Sequence, residues 1–236
     1  MNGFRPIFNT KSIGEIKMHK TVDIKLGADI LEVNKELAER NAKKFKDAGI
    51  KAYDFMGSIG SGKTLIIEAL VDLLKASGVR PAVIAGDVSG NDDYLRFKGH
   101  GIPALNINTN KDCHLDAHLI EHALEDFDLT GIDVLFIENV GNLVCPADFP
   151  LGTDKRVVVI SVTEGDDMVR KHPVIFGLSD IIVINKIDLA EIVEVDVNVI
   201  ASDAAKVAPH TTLLRTDAKH KIGIDKLLQE LNIINQ

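Results

Sequence analysis

Gly57-Ser58-Ile59-Gly60-Ser61-Gly62-Lys63-Thr64 lies between a strand-like run, Ala52-Tyr53-Asp54-Phe55-Met56, and an apolar-periodic segment, Leu65 to Leu74. The spacing is G-x-x-x-x-G-K-[ST], in the strand–loop–helix setting that gives the motif its meaning. Glycines let the backbone curl so that successive N–H groups face a phosphate. The helix that starts near Gly62 adds its positive N-terminal end. Lys63 can reach the β- and γ-phosphates, and the Thr64 hydroxyl can ligate Mg²⁺. A chance match in a chain this long is about one per cent, which leaves little room for an ordinary Gly-rich turn. The stretch implies a site for a nucleoside triphosphate.

The chain has 236 residues, enough for one α/β domain with an appendage and a sizeable core. With 45% hydrophobic and 26% charged residues it has the composition of a globular protein. The net charge of −8, without a basic stripe, argues against nucleic acid as a partner. No apolar run reaches the length of a membrane span. The opening residues, MNGFRPIFNTKSIGEIKMHK, lack an apolar signal core, and the 2 cysteines form no disulfide framework. The expected location is the cytoplasm.

Working outward, residues 1–21 show no clear periodicity and are expected to form a loose arm, with Met18 a possible alternative start. Ile30, Leu31, Leu37 and Phe45 recur at helical spacing, so residues 22–50 are expected to hold an N-terminal helix closed by Gly49. Residues 51–236 then form the nucleotide-binding domain. Its apolar runs at 81–86, 104–107, 133–137, 156–162, 181–184 and 212–214 alternate with helical spacing. This predicts a doubly wound, mostly parallel α/β sheet with ligands at the strand C-terminal ends.

Asn185-Lys186-Ile187-Asp188 follows the strand Ile181–Ile184 directly. A carboxylate at 188 can accept from guanine N1–H and its 2-amino group together, a pattern adenine does not offer. Asn, Lys and Asp are common turn residues, so the string gains its force from lying downstream of a phosphate loop. Thr216-Asp217-Ala218-Lys219 resembles the second guanine-side loop of GTPases, usually S-A-K. Asp217 departs from the Ser, so only a backbone contact at Ala218 carries over. Two acids, Asp87 and Glu138, end strands where a Mg²⁺ on a triphosphate would lie. Each could instead cap a loop; the unbroken apolar strand before Glu138 favours the ion there, while the pattern at Asp87 leaves both readings open.

The two cysteines stand in Cys113-His114 and Cys145-Pro146, and His118 is one helical turn beyond His114. Thiolate and imidazole suit Zn²⁺ or Ni²⁺. Two buried apolar cysteines are the competing reading. One subunit offers few soft ligands, so a closed site would draw on a second subunit.

Together GSIGSGKT, ENVGNLVCP (138–146), KDCHLDAH (111–118), SVTEGDD (161–167) and NKIDL (185–189) resemble the HypB family, over about residues 22–230. The resemblance implies a SIMIBI-class P-loop GTPase that turns GTP slowly into GDP, dimerises with nucleotide bound and helps insert nickel into [NiFe]-hydrogenase. Its implied partners are other hydrogenase maturation proteins and the hydrogenase large subunit. By position, Cys113, His114 and Cys145 match the family's Ni²⁺ or Zn²⁺ ligands, with His118 a possible addition. Lys63, Thr64, Asp87 and Glu138 would serve phosphate and Mg²⁺, and Asn185, Lys186 and Asp188 the guanine. Two departures stand out. The Cys-rich and His-rich N-terminal nickel motifs of some members do not occur, and the lysine expected after E-G-D-D is Met168, with Arg170 and Lys171 close behind. A sister metallochaperone of the urease or cobalamin type is disfavoured, because Cys145-Pro146-Ala147 replaces the urease type's Cys-Pro-His. A metal-independent GTP switch is the remaining alternative.

Overall fold

The computed structural model describes residues 12–233. Helix α1 runs Ser12–Asp47, so the boundary expected near residue 22 is corrected: residues 12–21 belong to the helix. That stretch contains no Pro, and its one glycine, Gly14, costs only about 1 kcal/mol. Met1–Lys11 of the expected arm lie outside the described residues. Gly49, at φ +71°, turns the chain out of α1 into the sheet.

Seven strands follow: β1 (Lys51–Gly57), β2 (Pro81–Asp87), β3 (Ala104–Asn108), β4 (Val134–Glu138), β5 (Lys155–Ser161), β6 (Ile181–Asn185) and β7 (Thr212–Arg215). They form one all-parallel sheet in the order β3-β2-β4-β1-β5-β6-β7. This is the doubly wound architecture expected from the apolar runs. The helices are α2 (Lys63–Ala76), α3 (Asp92–Gly99), α4 (Ala117–Asp126), α5 (Met168–Lys171), α6 (Pro173–Gly177), α7 (Val197–Val207) and α8 (Ile224–Glu230). The short α5 and α6 have no signature in the periodicity; Pro173 starts the second.

Strand alternation sorts the core into two faces. Tyr53, Phe55, Phe136 and Val159 point to one side and pack with Ile67, Leu70 and Leu74 of α2 and Leu227 of α8. On the other side lie two clusters. Ala52, Ile84 and Ile137 pack with Phe45 of α1 and Ile120 of α4. Met56, Val158 and Ile182 pack with Ile200 of α7. Leu70 is fully buried, so truncation to Ala would cost about 2–5 kcal/mol.

Polar contacts fix where α1 sits. The buried Asn41 amide donates to Ala117 O (2.8 Å) and Leu151 O (3.3 Å), and Asn34 bonds Ala117 N and Pro150 O. A Cβ at Gly152 would come within 2.1 Å of Ala38 O, so the glycine lets the 150–152 backbone lie on the helix. Among the described residues no helix is long and apolar enough to cross a membrane.

Candidate functional site

The phosphate loop connects β1 to α2 at the C-terminal edge of the sheet. Gly57 has no room for a side chain: a Cβ would stand 2.1 Å from Val159 O on β5. Gly62, at φ +102°, would bring one to 2.2 Å from Asn185 Nδ2. Both glycines are therefore demanded by close approach and backbone angle. Lys63 Nζ donates to Gly57 O (3.0 Å) and Ser58 O (3.1 Å). Burial lowers the Lys63 pKa, outweighing the attraction of Glu138 and Asp93.

Thr64 Oγ1 donates to Glu138 Oε1 across 2.9 Å, so the first turn of α2 and the end of β4 meet as expected. Burial pushes the Glu138 carboxyl up to about 7, with Asp93 adding to the shift and Lys63 opposing it. The second oxygen, Oε2, is buried without a hydrogen-bond partner. A hydroxyl and a carboxylate with a spare oxygen are hard donors that fit Mg²⁺. Asp87 lines the same cavity of about 440 Å³, together with Lys63, Thr64, Asp93, Arg96 and Glu138. Its Oδ1 accepts from Val88 N at 2.6 Å, which is the loop-capping role weighed above. Ile59 and Gly60 line the cavity from the phosphate loop.

Asn185, at the end of β6, ties two loops together. Its Nδ2 donates to Ser61 O (3.0 Å), while its Oδ1 accepts from Thr216 Oγ1 (3.0 Å) and Ala218 N (3.1 Å). Lys186, in the left-handed region at φ +60°, reaches back to Gly60 O at 2.7 Å. Asp188 is exposed beside them. The buried Asp217 accepts from His220 N (3.1 Å) and bonds the His220 ring, and its carboxylate lies within 4.8 Å of that of Asp188. Burial works to raise the Asp217 pKa, but the bonds from His220 prevail and lower it.

Cys113, His114 and Cys145 converge with ligand atoms within 4.8 Å of one another. The two sulfurs are 2.8 Å apart, both thiols are free, and Cys113 Sγ lies 3.8 Å from His114 Nδ1. Two sulfurs and an imidazole nitrogen form a soft donor set. His118 stands outside the cluster. Asp116 caps α4 by accepting from Leu119 N (2.8 Å), so the helix begins at Ala117 and His114 precedes it. The expected shared face of 114 and 118 does not form; the His118 ring meets His122 at 4.5 Å, and His114 meets Phe149 at 4.1 Å.

Several residues to which the sequence reading gave no role connect these parts. Asn142 donates its backbone N–H to Gly57 O (3.0 Å) and its side chain to Cys113 O (3.1 Å). Asn139 Oδ1 accepts from Leu115 N at 2.9 Å. Glu164, within SVTEGDD, caps the turn at Ser161 N and accepts from Ser58 Oγ of the phosphate loop. Arg170 is paired with Asp166 and Asp203, and Lys171 with Asp167. An asparagine or glutamate in a loop carries no sequence period, so only the fold reveals these links.

Known proteins resemble this chain in sequence and fold. The family model for the CobW/HypB/UreG nucleotide-binding domain matches residues 52–215. The probable hydrogenase maturation factor HypB of Methanocaldococcus jannaschii is 52% identical over 90% of this chain and 96% of its own. The crystal structure of HypB from Archaeoglobus fulgidus has a TM-score of 0.79 at 45% identity, covering 85% of this chain and 98% of that one. The structure of Helicobacter pylori HypB in complex with nickel also scores 0.79, at 33% identity, covering 84% and 93%. This chain belongs to the HypB family of hydrogenase maturation factors, within the CobW/HypB/UreG nucleotide-binding group.

Proposed function

We propose that this chain is a GTP-hydrolysing metallochaperone that delivers nickel during maturation of [NiFe]-hydrogenase. It works in the cytoplasm as a nucleotide-dependent homodimer, with other maturation proteins and the hydrogenase large subunit as partners. GTP is the fuel, GDP and phosphate the products, and Ni²⁺ the cargo, with Zn²⁺ able to occupy the same soft donors. Cys113, His114 and Cys145 hold the cargo. Asp188 accepts from the guanine edge, and the Asn185 amide and Ala218 N hold the base loop against the phosphate loop.

In the triphosphate site, Mg²⁺ would supply neutralisation of charge on the β- and γ-phosphate oxygens. Thr64 and Glu138 would hold it, with Asp87 close by. Lys63 exchanges its carbonyl partners for phosphate oxygens, which the loop's inward N–H groups also bind.

The observation that carries the reading is Asn142, bonded to Gly57 O and Cys113 O at once. It stands between Glu138 and Cys145 on one segment after β4. Movement of the phosphate loop or of the β4 end therefore reaches both cysteine-bearing segments. Affinity for metal must then differ between nucleotide states, and metal must bias nucleotide binding by the same factor. Titration calorimetry with Ni²⁺ in the GDP form and in a GTP-analogue form tests this. The expected result is a difference of about 5- to 150-fold, the usual range of such coupling. Equal affinities would defeat it.

A further inference from the structure

Asp54 sits in β1 with no exposed surface, between two apolar clusters on the α1 side of the sheet. Its neighbours in the parallel register are Ile137 of β4 and Arg156 of β5. A carboxylate in a wholly buried strand is costly, and structures retain one where it holds something in place. Its Oδ1 accepts from Asn139 Nδ2 at 3.1 Å, and its Oδ2 faces Arg156 Nε at 3.9 Å.

Each of those two partners grips one half of the soft donor set. The Asn139 amide oxygen takes Leu115 N at 2.9 Å, one residue after His114. The Arg156 guanidinium donates to Ala147 O (3.1 Å) and to Pro146 O, immediately after Cys145. The two segments approach the cluster from different elements, one ahead of α4 and one after β4. Asp54 is the group behind both.

The geometry points to Asp54 as the positioning residue of the Cys113/His114/Cys145 centre, orienting Asn139 and Arg156 so that the two ligand-bearing segments meet at metal-binding distance. This inference rests on reading the cluster as a metal site. Outer partners of this kind typically change metal affinity by about 10- to 100-fold when removed.

The test uses full-length protein and Ni²⁺ alone, comparing wild type, Asp54→Asn, Arg156→Lys and Cys145→Ala by titration, with the sulfur-to-nickel charge-transfer band recorded. Asp54→Asn keeps the volume and the acceptor for Asn139 while removing the charge opposite Arg156. It is expected to weaken Ni²⁺ binding about 10- to 100-fold and to shift the band, with GDP affinity at the wild-type level. A role limited to folding would lower the melting temperature and leave the band of the folded protein unchanged. Should Asp54→Asn fail to fold, Arg156→Lys removes the fork to Pro146 and Ala147 and is expected to produce the same shift. Wild-type affinity and an unshifted band in a folded variant would overturn the role of Asp54 alone. Wild-type protein that binds Ni²⁺ no better than Cys145→Ala would instead overturn the metal reading, and this inference with it.

Discussion

Glu138→Gln isolates one buried charge. Glu138 is 4% exposed, and its pKa rises from an ordinary 4.5 to about 7. The folded chain thus holds the proton more tightly than the unfolded chain. The contribution to stability is complete below pH 4.5 and is lost as pH rises through about 7. A difference of about 2.5 units at about 1.36 kcal/mol each amounts to about 3 kcal/mol. Gln keeps an oxygen for Thr64 Oγ1 and cannot ionise. Asp54, raised to about 6 chiefly by burial, titrates in the same window but is present in both proteins and cancels. Urea unfolding of wild type and variant, in buffer free of nucleotide and Mg²⁺, gives the difference at each pH. Wild type should lose about 3 kcal/mol relative to the variant between those two pH values. Parallel curves would refute the assignment of a buried, proton-holding carboxyl.

Gly62→Ala forces a Cβ to 2.2 Å from Asn185 Nδ2 at a φ of +102°, so it should cost about 1–3 kcal/mol and lower the melting temperature; an unchanged melting temperature would contradict the close approach. In the proposed role of Asp188 as acceptor from the guanine edge, Asp188→Ala should lower GDP affinity at least about 100-fold and leave ADP binding unmoved; equal loss for both nucleotides would remove Asp188 from base selection.

The phosphate loop was readable because its chemistry is a matter of local spacing. Gly57 and Gly62 are forced by backbone geometry, and Lys63 and Thr64 follow at fixed offsets. The place of Glu138 at the end of β4 was legible because an unbroken apolar strand ends on it. Tertiary partners were not. Asp54 and Asn139 are 85 residues apart, and Ser58 and Glu164 are 106 apart, with no pattern joining them. Asp54, the one acid of β1, is wholly buried, and its place within a strand-like run carries no sign of what it bonds. The His114–His118 spacing misled because it presumes a helix through both, and the Asp116 cap starts the helix between them. The beginning of α1 was missed because residues 12–21 combine helix-forming residues with weak periodicity.

The amide oxygen of Asn185 accepts from the Thr216 hydroxyl and from the main-chain N–H of Ala218 in the loop after β7. The side chain at 217 makes neither of these bonds, which is how an aspartate bound to His220 can stand where the usual loop has serine. The loop thus keeps its junction while the letter at 217 changes. A strand-end asparagine that joins two loops is a structural key to such a loop, and it holds in chains whose written motif has drifted further.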